Sequence, residues 1–172
     1  MIVTIWRHGE AGSAVSDRLR KLTARGRDEV RRGARQFRGA CAGAAIALPD
    51  LVLFSRWVRT TQTADILGAA FAGAAVREQA QLQPGSELGA VDAVLAELAA
   101  AGRPPAHVVL VSHQPLVSGL VDYYLGGLAA GAAGQVPALS PGGLATLSLQ
   151  VVARDCGQLL FWALPPAYEV AR

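Results

Sequence analysis

The sequence has few of the residues that build disulfide frameworks, metal sites or membrane spans. Its two cysteines, Cys41 and Cys156, lie outside any CxxC or zinc-ligand spacing, so we expect reduced thiols. Neither His8 nor His113 has a carboxylate or a second histidine beside it at metal-ligand spacing, so no metal site is expected. No apolar run reaches the roughly 18 residues that a membrane-spanning helix needs.

Charge is also scarce, and it is unevenly distributed along the chain. Charged residues make up 17% and hydrophobic residues 52% of the sequence, which argues against a disordered protein, a coiled coil or a nucleic-acid-binding tail. Residues 1–40 carry ten basic and four acidic side chains, whereas residues 41–172 carry six and nine. The basic segment suits an anionic ligand, although a solvated helix face explains it equally well.

The length and the amino terminus of the chain indicate its class. The 172 residues fit a single domain over 1–172. The start lacks the basic region of a signal peptide and reaches charged residues early, so we expect a soluble, cytoplasmic protein.

Apolar strands alternate with amphipathic helices along the chain. Strands are predicted at 2–6, 51–54, 76–82, 108–111, 144–152 and 159–163, and helices at 24–43, 57–72, 88–101 and 116–125. Continuously apolar strands separated by helices are typical of a parallel sheet covered on both faces, and the last two strands suit an antiparallel hairpin. The predicted fold class is therefore α/β, a three-layer αβα sandwich with a mostly parallel central sheet. Residues 126–143, rich in Gly, Ala and Pro, are either a floppy connection or a mobile flap over the site.

Unusual polar clusters follow three of these strands. The first strand ends on Arg7-His8-Gly9-Glu10, the second on Ser55 with Arg56 and Arg59 just beyond it, and the fourth on Ser112-His113. Ligands of such sheets bind beyond the carboxyl ends of the strands, so two imidazoles and several guanidiniums converge on one edge.

This convergence suits phosphoryl transfer. Guanidinium groups bind phosphate oxygens in pairs and neutralise charge on a transferring phosphoryl group. A neutral imidazole can attack phosphorus, and a second imidazole can bind or protonate an oxygen. The sequence has neither a Gly-rich phosphate loop with its lysine nor an acidic metal cradle, so the predicted mechanism uses no metal or cofactor.

These motifs resemble those of the histidine phosphatase superfamily, which has the phosphoglycerate mutase-like fold. The matching segments are Arg7-His8-Gly9-Glu10, Ser55-x-x-x-Arg59-x-x-Gln62-Thr63 and Ser112-His113. The segments Asp17-x-x-Arg20-x-Leu22-Thr23-x-x-Gly26 and Val111 to Val117 look like the SixA-type phosphohistidine phosphatases of that superfamily.

The resemblance implies roles for individual residues. His8 would be the nucleophile and form a phosphohistidine intermediate, while Arg7, Arg59 and His113 would surround the phosphoryl oxygens. Arg20 would reach in from the first loop. Two further motif residues, Gly9 and Ser55, are expected at the phosphate- or substrate-binding site.

One position departs from the pattern of many phosphomonoesterases in the superfamily. These carry a glutamate proton donor shortly after the third strand, and here Pro84 takes its place. An alkoxide leaving group needs such an acid, whereas an imidazole with a pKa of about 6.5 can take its proton from water. The missing acid therefore favours a phosphohistidine substrate over a phosphate ester.

The expected function is removal of phosphate from a histidine-phosphorylated protein in bacterial signalling. Its partner would be a helical phosphotransfer domain or a phosphocarrier, with no nucleic acid and no membrane involved. One alternative is a small-molecule phosphomonoesterase or mutase of the same fold, in which Glu87 would supply the acid. The other is a non-catalytic module that binds phosphoproteins, which would have no use for the nucleophile His8.

Overall fold

A six-stranded sheet lies at the centre of the fold. The computed structural model describes residues 1–126 and 136–171. Its strands are β1 (Ile2–Arg7), β2 (Leu51–Phe54), β3 (Ala75–Glu78), β4 (His107–Ser112), β5 (Leu144–Leu149) and β6 (Gly157–Ala163). They are ordered β3-β2-β4-β1-β5-β6, the first four parallel and the last two antiparallel to their neighbours. The mostly parallel sheet and its terminal hairpin are thus confirmed.

Helices cover both faces of this sheet. They are α1 (Ala24–Gly43), α2 (Val58–Ala70), α3 (Leu88–Ala100) and α4 (Leu116–Leu125). Helices α1 and α2 pack on the face that carries Trp6 and Val52, and α3 and α4 pack on the face that carries Ile5 and Leu53. Neighbouring strand residues point to opposite faces, so each strand supplies both cores. The three-layer αβα sandwich is therefore confirmed.

The limits of α1 follow directly from its sequence. The Thr23 hydroxyl accepts a hydrogen bond from the backbone N–H of Gly26 at 2.9 Å, which caps the first turn. Val30, Phe37 and Cys41 are buried at helical spacing, while the arginines between them are exposed. None of the helices in residues 1–126 and 136–171 is long and apolar enough to cross a membrane.

Two strands are shorter than the sequence predicted. Strand β3 ends at Glu78, because its partner β2 ends at Phe54, and residues 80–82 form a 3₁₀ helix that buries Leu82. The connection from β3 to α3 is therefore 79–87 rather than 83–87. Strand β5 ends at Leu149, opposite the first residue of β6.

Part of the predicted floppy connection or flap, 127–135, lies outside the described residues. The part from 136 to 143 runs along the carboxyl end of β1. There the backbone N–H of Arg7 donates to the Gly143 carbonyl at 2.9 Å, and the N–H of Gly142 donates to the His8 carbonyl at 2.8 Å. This stretch is thus hydrogen-bonded to the edge of the sheet at which the polar clusters were predicted.

Candidate active site

The carboxyl ends of three parallel strands bring the candidate residues together. Arg7 pairs with Ser112 at the ends of β1 and β4, and the His8 backbone N–H donates to the Ser112 carbonyl at 3.0 Å. On the other side of β4, the Ser55 backbone N–H donates to that strand at 3.2 Å. His8, Ser55 and His113 therefore leave neighbouring strands at one edge, as the sequence predicted.

Both nitrogens of the His8 imidazole are engaged. Nδ1 lies 2.8 Å from the Gly9 carbonyl, which can only accept, so Nδ1 carries the proton and Nε2 carries the lone pair. The Nε–H of Arg59 donates to that Nε2 at 3.0 Å. Burial, with further contributions from Arg59 and Arg7, lowers the pKa of His8 to about 4. The ring is therefore neutral at neutral pH, with Nε2 as its nucleophilic atom.

Gly9 lies behind this ring, against α1. Its backbone N–H donates to the Thr63 hydroxyl at 3.2 Å, and its carbonyl holds the His8 ring. A Cβ at this position would come within 2.8 Å of a methyl group of Val30 and 3.0 Å of the Gly26 carbonyl. Only glycine lets the segment after β1 approach α1 this closely, and its carbonyl orients His8 from behind.

Arg59 lies in the first turn of α2, where backbone N–H groups also favour an anion. Its Nη1 donates to the Asp17 carbonyl at 2.6 Å and its Nη2 to the Asp17 carboxylate at 3.0 Å. The Trp57 ring lies 4.7 Å from the guanidinium carbon in a cation–π contact, and meets the His113 ring edge-on at 5.1 Å. These contacts hold the guanidinium beside His8.

The His113 ring lies next to His8. Their centroids are 5.2 Å apart, and Nε2 of His113 is 2.9 Å from the Ser55 hydroxyl. Nδ1 of His113 is buried without a hydrogen-bond partner among the described residues. Burial, followed by the charges of His8 and Arg59, lowers the pKa of His113 to about 3. This leaves a neutral imidazole with one ring nitrogen that has no hydrogen-bond partner among the described residues.

Two more guanidiniums complete the site. Nη1 of Arg7 donates to the Leu139 carbonyl at 2.8 Å, and burial and the nearby Arg59 lower its pKa. Arg20 is held by its own loop, since its Nε donates to the Gly12 carbonyl at 2.7 Å and its Nη2 to the Ala11 carbonyl at 3.0 Å. Arg20 thus reaches in from the first loop, as the resemblance implied.

These side chains surround a cavity of about 260 Å³. The residues that line it are Arg7, His8, Glu10, Ala11, Asp17, Arg20, Arg59, His113, Gln114 and Pro141. Three guanidiniums outnumber the carboxylates of Asp17 and Glu10 in this lining, so the cavity keeps a net positive charge, which suits a small tetrahedral oxyanion. In residues 1–126 and 136–171, no three His, Cys, Asp or Glu side chains come together to hold a metal ion.

Asp17 is the main site residue that sequence reasoning missed. Its carboxylate bridges two guanidiniums, accepting from Nη1 of Arg20 and from Nη2 of Arg59, both at 3.0 Å. The hydrogen bond from Arg20, with a further one from Arg59, holds the pKa of Asp17 below its usual range, although burial acts in the opposite direction. The Asp17-x-x-Arg20 spacing contained the signal, because a carboxylate three residues before a site arginine is placed to pair with it.

In the described parts of the chain, the other two carboxyl groups considered as proton donors are either hydrogen-bonded or outside the cavity lining. Glu10 lines the cavity, but one of its oxygens accepts from the Thr23 hydroxyl at 2.7 Å. Glu87 precedes the first turn of α3, and neither Glu87 nor Pro84 is among the residues that line the cavity.

The predicted residues thus divide into two groups. Those that line the cavity are Arg7, His8, Arg20, Arg59 and His113. Gly9 and Ser55 lie behind the cavity and orient His8 and His113 instead of contacting its interior. Arg56 does not line it; its side chain is 57% exposed and lies 3.9 Å from Glu78.

Comparison with known proteins finds solved structures of the same fold. No family model and no curated protein matches the sequence. Among solved structures, the protein histidine phosphatase SixA complexed with tungstate is 29% identical, over 96% of this chain and 97% of that one, with a TM-score of 0.77. A SixA from Nakamurella multipartitia is 26% identical, over 95% of each chain, with a TM-score of 0.76.

A more distant structure shows the same fold. The mycobacterial glucosyl-3-phosphoglycerate phosphatase is 18% identical, over 92% of this chain and 96% of that one, with a TM-score of 0.61. The motif residues at the strand ends and the match over nearly the whole chain agree with one another. The chain therefore matches, in fold and over nearly its whole length, the SixA phosphohistidine phosphatases and other members of the histidine phosphatase superfamily.

Proposed function

We propose that this chain is a phosphohistidine phosphatase that acts on a histidine-phosphorylated protein. Its structural relatives are phosphatases, which supports a hydrolase. The finer assignment rests on one observation: both carboxyl groups among the described residues that line the cavity, Asp17 and Glu10, are hydrogen-bonded to other side chains, at a cavity that otherwise has the parts for phosphoryl transfer.

In the first step, the phosphoryl group enters the cavity between the guanidiniums of Arg7, Arg20 and Arg59. The hydrogen bond that the Nε–H of Arg59 donates to His8 Nε2 is replaced by one to a phosphoryl oxygen. The lone pair of Nε2 is then free to attack phosphorus. A P–N bond forms to His8 as the P–N bond to the substrate imidazole breaks. An N–H of His113 donates a hydrogen bond to a non-bridging oxygen, and water protonates the departing imidazole.

In the second step, water attacks phosphorus, the P–N bond to His8 breaks, and inorganic phosphate leaves with one proton of that water. The other proton passes to solvent, where it neutralises the hydroxide left when water protonated the substrate imidazole. The imidazole of His8 returns to its neutral form, with Nδ1 still bonded to the Gly9 carbonyl. Both steps transfer a phosphoryl group from an imidazole nitrogen, so neither has to expel a strongly basic alkoxide.

The state of the carboxyl groups supports an N–P substrate. Asp17 is ionised and bound to Arg20 and Arg59, so it has no proton to give at neutral pH. Glu10 is held by the Thr23 hydroxyl, and Glu87 lies away from the cavity. An ester with an alkoxide leaving group would therefore leave without general-acid assistance, which typically contributes about 10²–10⁴-fold to a rate.

The test is side-by-side turnover of a histidine-phosphorylated phosphotransfer domain, an aryl phosphate and an alkyl phosphate. We expect the phosphoprotein to be fastest by far, the aryl phosphate slow and the alkyl phosphate nearly inert. Glu87→Gln is the matched control, and it should change none of these rates by more than about threefold. Comparable turnover of the alkyl phosphate, lost in Glu87→Gln, would favour a small-molecule phosphomonoesterase instead.

A further inference from the structure

The loop that carries Asp17 and Arg20 has an unusual outer surface. Six large apolar side chains are exposed in the described parts of the chain, namely Val15, Leu19, Leu48, Val76, Val151 and Val170. Two of them, Val15 at 98% exposure and Leu19 at 44%, lie on this loop. The inner side of the same loop lines the cavity through Asp17 and Arg20. Apolar surface thus lies directly beside the mouth of the site.

The charge around this apolar surface is positive. Arg18 and Lys21 are exposed and have no ion-pair partner within residues 1–126 and 136–171. The negative charge of Asp17 is neutralised by Arg20 and Arg59 on the cavity side. A partner protein therefore meets two unpaired cationic side chains and two apolar side chains on this loop. They complement a partner surface that is acidic and apolar.

The loop is fixed at its base and in its middle. Ala11 and Leu22 form an antiparallel bridge, and the Gly12 N–H donates to the Lys21 carbonyl at 2.9 Å. The short 3₁₀ turn Asp17–Leu19 is closed by the Arg20 N–H, which donates to the Asp17 carbonyl at 3.3 Å. A loop held in this way presents its outer side chains with little ordering cost on binding.

The cavity itself has room to contact little more than the phosphorylated imidazole of a substrate. Its volume of about 260 Å³ can hold a phosphorylated imidazole. Ligand pockets that bind a whole small molecule usually reach about 300–1,000 Å³. Recognition of anything larger has to use the surface around the mouth.

The basic helix α1 offers less to a partner at this mouth. Arg31 is paired with Asp28, and Nη1 of Arg38 donates to the Ala70 carbonyl at 2.7 Å. At 1.5 Å per residue, Arg35 lies about 17 Å along the axis from the first turn, which is the end of α1 that contacts the site. The surface of residues 13–21 is therefore the nearer one.

We infer that Val15, Arg18, Leu19 and Lys21 form a docking surface for the acidic and apolar surface that surrounds the phosphohistidine of a partner protein. This inference rests on the proposed function, and it assigns the recognition of the protein to residues outside the catalytic cavity. Docking places the phosphohistidine over His8 while the cavity recognises the phosphoryl group alone.

The experiment measures binding and turnover separately. Binding uses an acidic histidine phosphotransfer domain, phosphorylated on histidine, with the full-length His8→Ala protein that cannot turn it over. Turnover uses the intact site with the same domain and with free phosphohistidine. Each is repeated with the loop variant Val15→Asp/Arg18→Glu, the milder Val15→Ser/Arg18→Ala, and the control Val151→Asp/Arg103→Glu, which alters exposed residues away from the cavity.

The loop variants should weaken binding of the domain and raise its KM by about tenfold or more, with the milder variant intermediate. Turnover of free phosphohistidine should stay within twofold, and the control should match the unaltered protein throughout. Unchanged binding in both loop variants, or equal losses on both substrates in both, would overturn the docking surface. Failure of the unaltered protein to hydrolyse either substrate would instead overturn the proposed function, while the binding comparison still decides on docking.

A membrane surface is the competing reading of exposed apolar and basic side chains. Sedimentation with phosphatidylserine vesicles tests it, and we expect no loop-dependent binding. Vesicle binding that is lost in the loop variants, with an unchanged KM for the protein substrate, would contradict a protein-docking surface.

Discussion

Two buried histidines at opposite ends of β4 differ in how completely their ring nitrogens are hydrogen-bonded. His107 opens the strand, and both of its ring nitrogens have partners: Nε2 lies 2.8 Å from the Thr4 hydroxyl, and Nδ1 lies 2.8 Å from the Ala47 carbonyl. His113 follows the same strand, bonds to Ser55 through Nε2, and leaves Nδ1 without a partner among the described residues.

The surroundings of the two rings differ in the same way. The Thr4 hydroxyl beside His107 is also bonded to the Thr146 hydroxyl at 3.0 Å, so that network is complete. His113 instead faces three guanidiniums across a cavity. A polar group whose hydrogen bonds are all made contributes to the fold, whereas a buried one with unused bonding capacity beside cationic groups is a candidate functional residue.

We expect the strongest loss of activity from replacing His8, which lies at the carboxyl end of β1. His8→Ala should reduce turnover by about 10⁴-fold or more, because covalent catalysis loses its nucleophile. The fold should persist, since one face of the ring borders the cavity; circular dichroism and thermal unfolding check this. Residual activity within tenfold of the unaltered protein would contradict the assignment.

Next in size is the contrast between two arginines of the same helix start. Arg59→Ala should cost about 2–4 kcal/mol of transition-state stabilisation, by analogy with the loss of an oxyanion donor, and Arg7→Ala a similar amount. Arg56→Ala should cost far less, because its side chain is 57% exposed and lies 3.9 Å from Glu78. The measurement is kcat/KM for each variant, and equal losses at Arg56 and Arg59 would show that the wrong arginine has been assigned.

The two histidines of β4 provide a paired test. His113→Ala should lower kcat by about 10²-fold with little loss of stability, since its ring borders an open cavity. His107→Ala should leave kcat near its original value and lower the free energy of unfolding by roughly 2–4 kcal/mol, because it opens a cavity and leaves the Ala47 carbonyl unpaired. Urea denaturation and steady-state kinetics on both variants test this difference. A large loss of stability in His113→Ala and of kcat in His107→Ala would reverse the roles assigned to the two histidines.

Acid should affect stability before it affects the nucleophile. Burial lowers the pKa of His8 to about 4 and that of His113 to about 3, whereas an unfolded histidine titrates near 6.5. The unfolded chain therefore binds more protons below pH 6.5, and stability falls as the pH drops from 6.5 towards 4, by up to about 1.4 kcal/mol per unit for each such histidine. Activity limited by His8 should stay level until about pH 4. A stability that rises between pH 6 and 4.5 would contradict this.

Much of the fold was predictable because its signals are local. Strand β2 was predicted at its observed limits, since an apolar run is followed by the polar Ser55, and α1 begins directly after its cap at Thr23. The extent of β3 was not predictable, because it depends on the length of β2 beside it. Long-range pairing sets such limits, and local pattern does not encode them.

The site residues that directly follow strands were predictable from the sequence. Asp17 and Pro141, which reach the site from loops, were not. Residues His8 and His113 follow β1 and β4, so topology alone placed them together. Asp17 approaches Arg59 from 42 residues away through a loop, and Pro141 approaches from beyond β4. Ser55 and Gly9 were predicted near the site, but only side-chain geometry shows that they orient the imidazoles from behind.

In the proposed mechanism, the phosphoryl group passes through Nε2 of His8. Rapid quenching at high pH after mixing with a phosphorus-labelled phosphohistidine protein preserves a phosphohistidine on the enzyme, and peptide mass spectrometry locates it. The label should appear on His8 alone in the unaltered protein and be absent from His8→Ala. A label on His113, or full turnover with no labelled enzyme at any quench time, would contradict a phosphohistidine intermediate on His8.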